Sequence, residues 1–292
     1  MENISAVIVV KDHPPFLFKV MESIDDLVHE IIIVDIGMDK EFKERLNQMA
    51  YGKKIKLITL KEAVPYVELI RNKTKDFAKS DYVFFLDPDE IVTPGLKTII
   101  KSHLLTYDYF KIPRKNIILG RWIKHSRWWP DYQVRLFKKN KVVWPKIIHR
   151  QPKASGRGFE IEAKENLALI HHNYRDIDEY LDKTKRYAKY EAKELYEERR
   201  IFTFSDTVKK SLNEFVSRYF AAQGYKDGVQ GFILAILQLM YYFFVYFYYL
   251  EMKKFKPDEK IDEAEFFRLG LKEVLHWKKK KTLKDRLIKR IL

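Results

Sequence analysis

Cysteine is absent from all 292 residues. Disulfides, thiolate zinc sites and cysteine nucleophiles are therefore excluded, and a reducing compartment fits the absence. Phosphate-cradling glycines do not follow the first strand-like run; His13-Pro14-Pro15 stands there instead, which argues against a nucleotidyltransferase. An N-terminal signal peptide is not expected, because the apolar run at residues 6–10 is short and Lys11-Asp12 follows at once. No internal repeat of useful length stands out.

Positive charge and apolar surface are plentiful. The formal net charge is +15, which suits nucleic acid, anionic lipid headgroups or phosphorylated substrates. Hydrophobic residues make up 46% of the chain, enough for a sizeable core and against global disorder. The basic residues form no recognisable nucleic-acid module, and no nucleic-acid partner is expected. The last 15 residues carry eight Lys and Arg against one Asp. Beside an apolar stretch, such a tail suits anionic lipid better.

The first ninety residues alternate in type. Buried strands are expected at 4–10, 30–34, 54–59 and 82–86, and helices at 16–27, 41–51 and 67–79. Strands separated by helices imply an α/β fold with a doubly wound, mostly parallel sheet. Ligands bind such sheets beyond the carboxyl ends of the strands, where Asp35 and Asp87 fall. Residues 107–172 lose the helical period and hold four of the five Trp; mixed strands and loops covering the sheet are expected there. A long charged helix is expected over 176–200, and further helices towards Tyr219.

The sharpest local signal is Leu86-Asp87-Pro88-Asp89-Glu90, with three carboxylates at the end of a buried strand. Carboxylates that close repel one another. A divalent cation bridging to phosphate would relieve them, and hard oxygen ligands suit Mg2+ or Mn2+. A solvated turn in which Asp89 or Glu90 caps the next helix would give the same pattern. Asp35-Ile36-Gly37 can receive a ribose or a base, or form an ordinary turn. Arg71, beside Asn72, can pair with phosphate, or decorate a helix surface.

Trp128-Trp129-Pro130-Asp131 sets a carboxylate beside indole rings. Aromatic faces suit sugar rings, and Asp131 could act there as general base; core tryptophans and a turn aspartate are the plainer alternative. His149, and His171-His172, each follow an expected strand. Either imidazole could complete a metal shell begun by Asp89, or be structural.

Taken in order, these residues resemble the family 2 glycosyltransferases of the GT-A fold. They are Val7-Ile8-Val9-Val10-Lys11, then Glu30-Ile31-Ile32-Ile33-Val34-Asp35, then Arg71-Asn72, then Asp87-Pro88-Asp89-Glu90. Leu119-Gly120-Arg121-Trp122, Trp129-Pro130-Asp131-Tyr132-Gln133-Val134-Arg135, His149 and His172-Asn173-Tyr174 are similar to the subgroup of lipopolysaccharide inner-core β-1,4-glucosyltransferases. The resemblance implies a GT-A-type sheet, inversion at the sugar C1, a nucleotide-sugar donor and a divalent metal. It implies donor-binding roles for Lys11, Asp35, Arg71, Asn72 and Asp87. Asp89 and His149 would be metal ligands and Asp131 the base; the aromatic faces of Trp128 and Trp129 would contact the acceptor. Two stretches depart from the family pattern: Ile36-Gly37-Met38-Asp39-Lys40 replaces a small, polar run, and His13-Pro14-Pro15 stands where an acidic pair is usual.

Residues 228–250 are 23 uncharged residues, long enough to span a bilayer. Aromatics crowd the second half of this run, and basic residues flank both ends, which favours monotopic attachment over a single-pass span. The division expected is a catalytic domain at 1–205 and a helical, membrane-associating region at 206–292. The acceptor would be lipid-linked or another glycan, and the location the cytoplasmic face of the cell membrane.

Overall fold

The computed structural model describes residues 3–50, 54–61, 64, 67–145, 151–256, 263–278 and 282–291. Two compact units divide the chain, residues 1–116 with 130–173 and residues 117–129 with 174–292.

The first unit begins with the expected alternation. Strand β1 (Ile4–Asp12) is followed by α1 (Leu17–Ile24), β2 (Glu30–Met38), α2 (Lys40–Ala50) and β3 (Ile55–Thr59). A 3-10 turn (Val67–Leu69) and the short α3 (Arg71–Lys75) precede β4 (Tyr82–Leu86), where one longer helix over 67–79 was expected. Tertiary bonds override the helical pattern here. Asn72 and Lys75 spend their side chains on the backbone at Trp144 and at Lys139 and Val142.

Strands β3, β2, β1 and β4 lie side by side and parallel. The largely apolar runs of β1, β2 and β4 reflect burial on both faces, whereas β3, at the edge, is only half-buried. Alternate residues serve opposite sides: Ile4, Ala6, Ile8 and Val10 pack with Leu17, Val20 and Leu96, while Val7, Ile32, Val34 and Phe85 pack with Phe137 and Trp144.

After β4 come β5 (Glu90–Val92), α4 (Pro94–His103), β6 (Tyr109–Ile118), β7 (Arg121–Trp122), β8 (Asp131–Lys138), β9 (Val142–Val143), β10 (Lys153–Ala154), β11 (Gly158–Glu160) and β12 (Leu169–Tyr174). Thr93 caps α4 and Pro94 opens it, a favourable start for a helix. Most of these strands extend the sheet instead of covering it, in the order β3-β2-β1-β4-β8-β6-β12-β5, with β11 also on β6; β9 and β10 form a separate pair. The β4–β8, β8–β6 and β12–β5 pairings are antiparallel.

Strands β4 and β5 are four places apart in that order, about 19 Å in a flat sheet. Only Asp87-Pro88-Asp89 joins them, and such a link spans at most about 14 Å. The antiparallel half must therefore curl, and its concave face looks towards the acidic turn.

The second unit is largely helical: α5 (Ile177–Glu197), α6 (Phe204–Val216), a π-turn (Ser217–Ala221), a 3-10 turn (Gly224–Asp227), α7 (Gly228–Met252), α8 (Glu263–Trp277) and α9 (Leu283–Ile291). Asp176 caps α5, and Thr203 with Asp206 forms a reciprocal capping box on α6. Val245, Tyr246 and Tyr249 of α7 pack on Ala188, Ala192 and Leu195 of α5.

Candidate active site

The acidic turn is locally determined. Glu90 N–H donates to Asp87 C=O at 3.0 Å, closing a β-turn with Pro88 at its second position. The Asp89 carbonyl accepts the N–H of His172 at 3.0 Å, tying the turn to β12.

Three guanidiniums meet this turn. Arg71 Nη2 donates to Asp87 Oδ1 at 3.2 Å. Arg135, on β8, donates to Asp87 Oδ2 and, at 2.6 Å, to Glu90 Oε1. Arg114, on β6, reaches Glu90 Oε1 at 3.1 Å and Asp131 Oδ2 through Nε at 2.9 Å. Burial pushes the Asp87 carboxyl up, but Arg135, Arg71 and Arg114 more than offset it and hold it well below the usual carboxylate range. Burial alone would lower Arg135; Asp87 and Glu90 instead raise it. Arg71 is lowered, first by burial and then by Arg135.

The cluster holds four carboxylates (Asp87, Asp89, Glu90, Asp131) and three guanidiniums (Arg71, Arg114, Arg135), so one negative charge is in excess among these groups. Asp89 faces His171, with Oδ1 3.7 Å from Nε2. Asn116 orients the His171 ring. Asn116 Nδ2 donates to Asp131 Oδ2 at 3.2 Å, which turns its Oδ1 towards His171 Nδ1 at 2.6 Å. A proton on that nitrogen satisfies the Asn116 oxygen, and Nε2 faces the Asp89 carboxylate. With Nε2 unprotonated, a carboxylate oxygen and an imidazole nitrogen at this distance can share a hard or borderline divalent cation. Among the described residues no group of three or more His, Asp or Glu is arranged to hold a metal ion. Asp89 and His171 would thus be partial ligands, with phosphate oxygens supplying the remainder. His149 lies outside the described residues.

Asp131 is paired with Arg114 across adjacent strands. Burial raises its pKa, but Arg114, Gln133 and Asn116 outweigh burial and hold it below the usual range. Oδ2 accepts from Arg114 and Asn116, while Oδ1 accepts from Gln133 Nε2 at 2.9 Å. With two lone pairs per oxygen, Oδ1 retains the capacity to receive a proton.

The other expected residues do not join this cluster. Asp35 is 3% exposed, and its carboxylate is saturated. Oδ1 accepts the N–H groups of Gly37 (2.9 Å) and Met38 (2.8 Å); Oδ2 accepts Lys43 Nζ (2.6 Å) and the Thr59 hydroxyl (3.1 Å). Gly37 has φ +127°, and a Cβ there would lie 3.9 Å from the Lys11 side chain, so Lys11 lies alongside this corner. The Asn72 amide forms a reciprocal pair with the Trp144 backbone. Trp128 and Trp129 belong to the second unit. There Trp129 meets Trp122 edge-on at 5.3 Å, and Trp128 meets Tyr174 edge-on at 6.3 Å with Arg218 over its face.

Sequence reasoning did not single out Arg114, Arg135, Asn116 and Lys43. Arg135 was visible within the 129–137 run; the others are ordinary polar residues until the sheet order brings them together.

With this geometry in view, the comparisons with known proteins are informative. Residues 5–163, more than half of the chain, match the model of glycosyl transferase family 2, and the chain belongs to that family. It is a glycosyltransferase. Among solved structures, the TarS 1-349 fragment of S. aureus is similar at 12% identity and TM-score 0.43, over 94% of this chain and 80% of that one. The same fragment in complex with UDP gives 13% identity and TM-score 0.44, over 89% and 94%. Glucosyl-3-phosphoglycerate synthase from Mycobacterium tuberculosis, solved with Mn2+, UDP and phosphoglyceric acid, is similar at 21% identity and TM-score 0.31, over 39% of this chain and 44% of the synthase.

Proposed function

We propose that the chain is an inverting, metal-dependent glycosyltransferase that moves a sugar from a nucleotide-sugar to a lipid-linked or other glycan acceptor at a membrane surface. The observation that carries this reading is the gathering of three carboxylates at Asp87–Glu90, with Asp89 Oδ1 3.7 Å from His171 Nε2.

When bound, Mg2+ or Mn2+ would stabilise the leaving diphosphate. Asp89 and His171 would hold the ion. Arg71 and Asp87 would line the diphosphate side of the donor, with Asn72 supporting Arg71 through its clamp on Trp144. Lys11 and the Asp35 corner would take the nucleoside. Asp131, ionised at neutral pH, would accept the acceptor's hydroxyl proton at Oδ1, freeing the oxygen to attack the anomeric carbon opposite the diphosphate. Inversion follows from a single displacement. Trp128 and Trp129 would contact acceptor sugar rings. Residues 1–205 would then be the catalytic portion and 206–292 the anchoring one. The subgroup of lipopolysaccharide inner-core glucosyltransferases remains the working expectation for the acceptor pathway.

For the membrane, the helical stretch Gly224–Met252 is long and apolar enough to span. Its neighbour argues for attachment. Tyr241 donates to Glu191 of α5 at 2.6 Å, and α5 also carries Lys185, Arg186, Lys189 and Lys193. A spanning α7 would draw these charges towards hydrocarbon, which is costly. Lying flat, α7 can offer Val229 (71% exposed), Phe232 (47%) and Phe247 (49%) to the acyl boundary. The cytoplasmic leaflet, anionic and facing the donor supply, suits the basic tail.

The test is calorimetric titration of nucleotide-sugars with and without Mn2+. Metal-dependent binding that Asp89→Asn abolishes supports the reading; equal affinity in the two proteins refutes it.

A further inference from the structure

The corner at Asp35 has a chemistry of its own. Asp35 closes β2, and backbone pairing sets it beside Val10 of β1 and Thr59 of β3. A carboxylate has about four lone-pair sites. Here all four are occupied, by Gly37 N–H, Met38 N–H, Lys43 Nζ and the Thr59 hydroxyl. A nucleoside N–H arriving at this corner meets no vacant acceptor on Asp35.

Lys43 is differently placed. It lies in the first turn of α2, at the same carboxyl-end edge of the sheet. Its ammonium donates to Asp35 at 2.6 Å and to the Thr59 oxygen at 2.7 Å, while the Thr59 hydroxyl donates onward to Asp35. The three groups form a closed triangle that fixes the ammonium. An ammonium has three N–H donors, and these bonds use two. The third is directed away from the triangle, and the side chain is 32% exposed. The corner therefore presents a fixed, charged donor to a ligand, and the carboxylate beneath it serves as its counter-ion.

Resting on the donor reading above, we propose that Lys43 reads the nucleoside of the donor, with Asp35 and Thr59 as its positioning residues. A fixed donor recognises an acceptor, so the corner favours bases with a carbonyl oxygen on the edge they present. Uracil has such oxygens, whereas adenine offers none. A site whose charged donor is left unmatched discriminates strongly against the wrong ligand.

The experiment is calorimetric binding of UDP and ADP, with Mn2+, to the full-length wild type, Lys43→Met, Lys43→Arg and Thr59→Val. Melting curves identify any variant that has lost its fold. The wild type is expected to bind UDP about ten- to a hundred-fold more tightly than ADP, the scale of one charged hydrogen bond. Lys43→Met should remove most of that preference by weakening UDP while leaving ADP within about two-fold. Lys43→Arg, which keeps a charged donor, should retain part of the preference, and Thr59→Val should reduce it. Equal weakening of both nucleotides, unchanged affinities, or tighter binding by Lys43→Met would each overturn the proposal while leaving the donor reading intact. A folded wild type that binds neither nucleotide would overturn both. If Lys43→Met fails to fold, Thr59→Val decides: an unchanged preference counts against the proposal.

Discussion

Arg114 and Asp131 face each other across neighbouring antiparallel strands, and the arginine directs Nε and Nη2 to the same carboxylate oxygen. The other oxygen, Oδ1, meets only the Gln133 amide among the described residues. Arg114, with Gln133 and Asn116, thereby holds the Asp131 pKa low, and in the proposed mechanism Oδ1 takes the proton. Asp131→Asn should lower turnover by about 10²–10⁴-fold, the usual worth of a general base, with donor affinity little changed. Near-normal turnover in steady-state assays would exclude Asp131 as the base.

The same pair sets a pH dependence. The folded-state pKa of Asp131 lies below its ordinary value. The unfolded chain therefore binds more protons as the pH falls, and stability from this carboxylate is complete above about pH 4 and is lost towards more acid pH. Arg114→Met removes the largest of the lowering influences. The acid limb of the kcat profile should then move to higher pH. A limb that stays in place would show that Arg114 does not set the ionisation of the base.

Asn72 gives a prediction of the opposite kind. Its amide both donates to and accepts from the Trp144 backbone. Asn72→Ala should cost about 1–3 kcal/mol in urea unfolding, because backbone groups lose their partners. Its main effect should be on stability, with nucleotide affinity following only as far as Arg71 is disturbed. Loss of affinity at unchanged stability would make Asn72 a direct ligand contact.

The parallel half of the sheet was legible because its strands are short, mainly apolar runs between helices. The acidic turn was legible because three carboxylates stand together in sequence. The rest of the site was not, for a physical reason. Arg114, Arg135 and Asn116, the partner of the His171 that the sequence did offer, come from strands whose order in the sheet differs from their order in the chain. Their meeting depends on the curl that the short β4–β5 link enforces. Lys43 reads as a surface lysine of α2, and only the crowding around Asp35 gives it a role. Trp128 and Trp129 were legible as an aromatic pair, but each ring turned out to be engaged with Tyr174 or Trp122.

Membrane attachment is best tested on the surface of α7. Deleting the helix would also remove Leu234, Val245, Tyr246 and Tyr249 from the core of the second unit. Val229→Glu with Phe247→Glu places charge on the exposed face, where the two residues are 71% and 49% exposed. The double variant should keep its melting temperature and lose most of its sedimentation with anionic liposomes. Undiminished sedimentation would place the membrane contact elsewhere.

The central claim is that the acidic turn handles a metal-bound nucleotide-sugar. Its most direct test is release of the nucleoside diphosphate across a panel of nucleotide-sugars with Mn2+, comparing the wild type with Asp89→Asn and with chelator-treated enzyme. The wild type should release the diphosphate from at least one donor, and neither the variant nor the metal-free enzyme should do so. Release that survives both treatments, or no release from any donor by folded wild type, would contradict the claim.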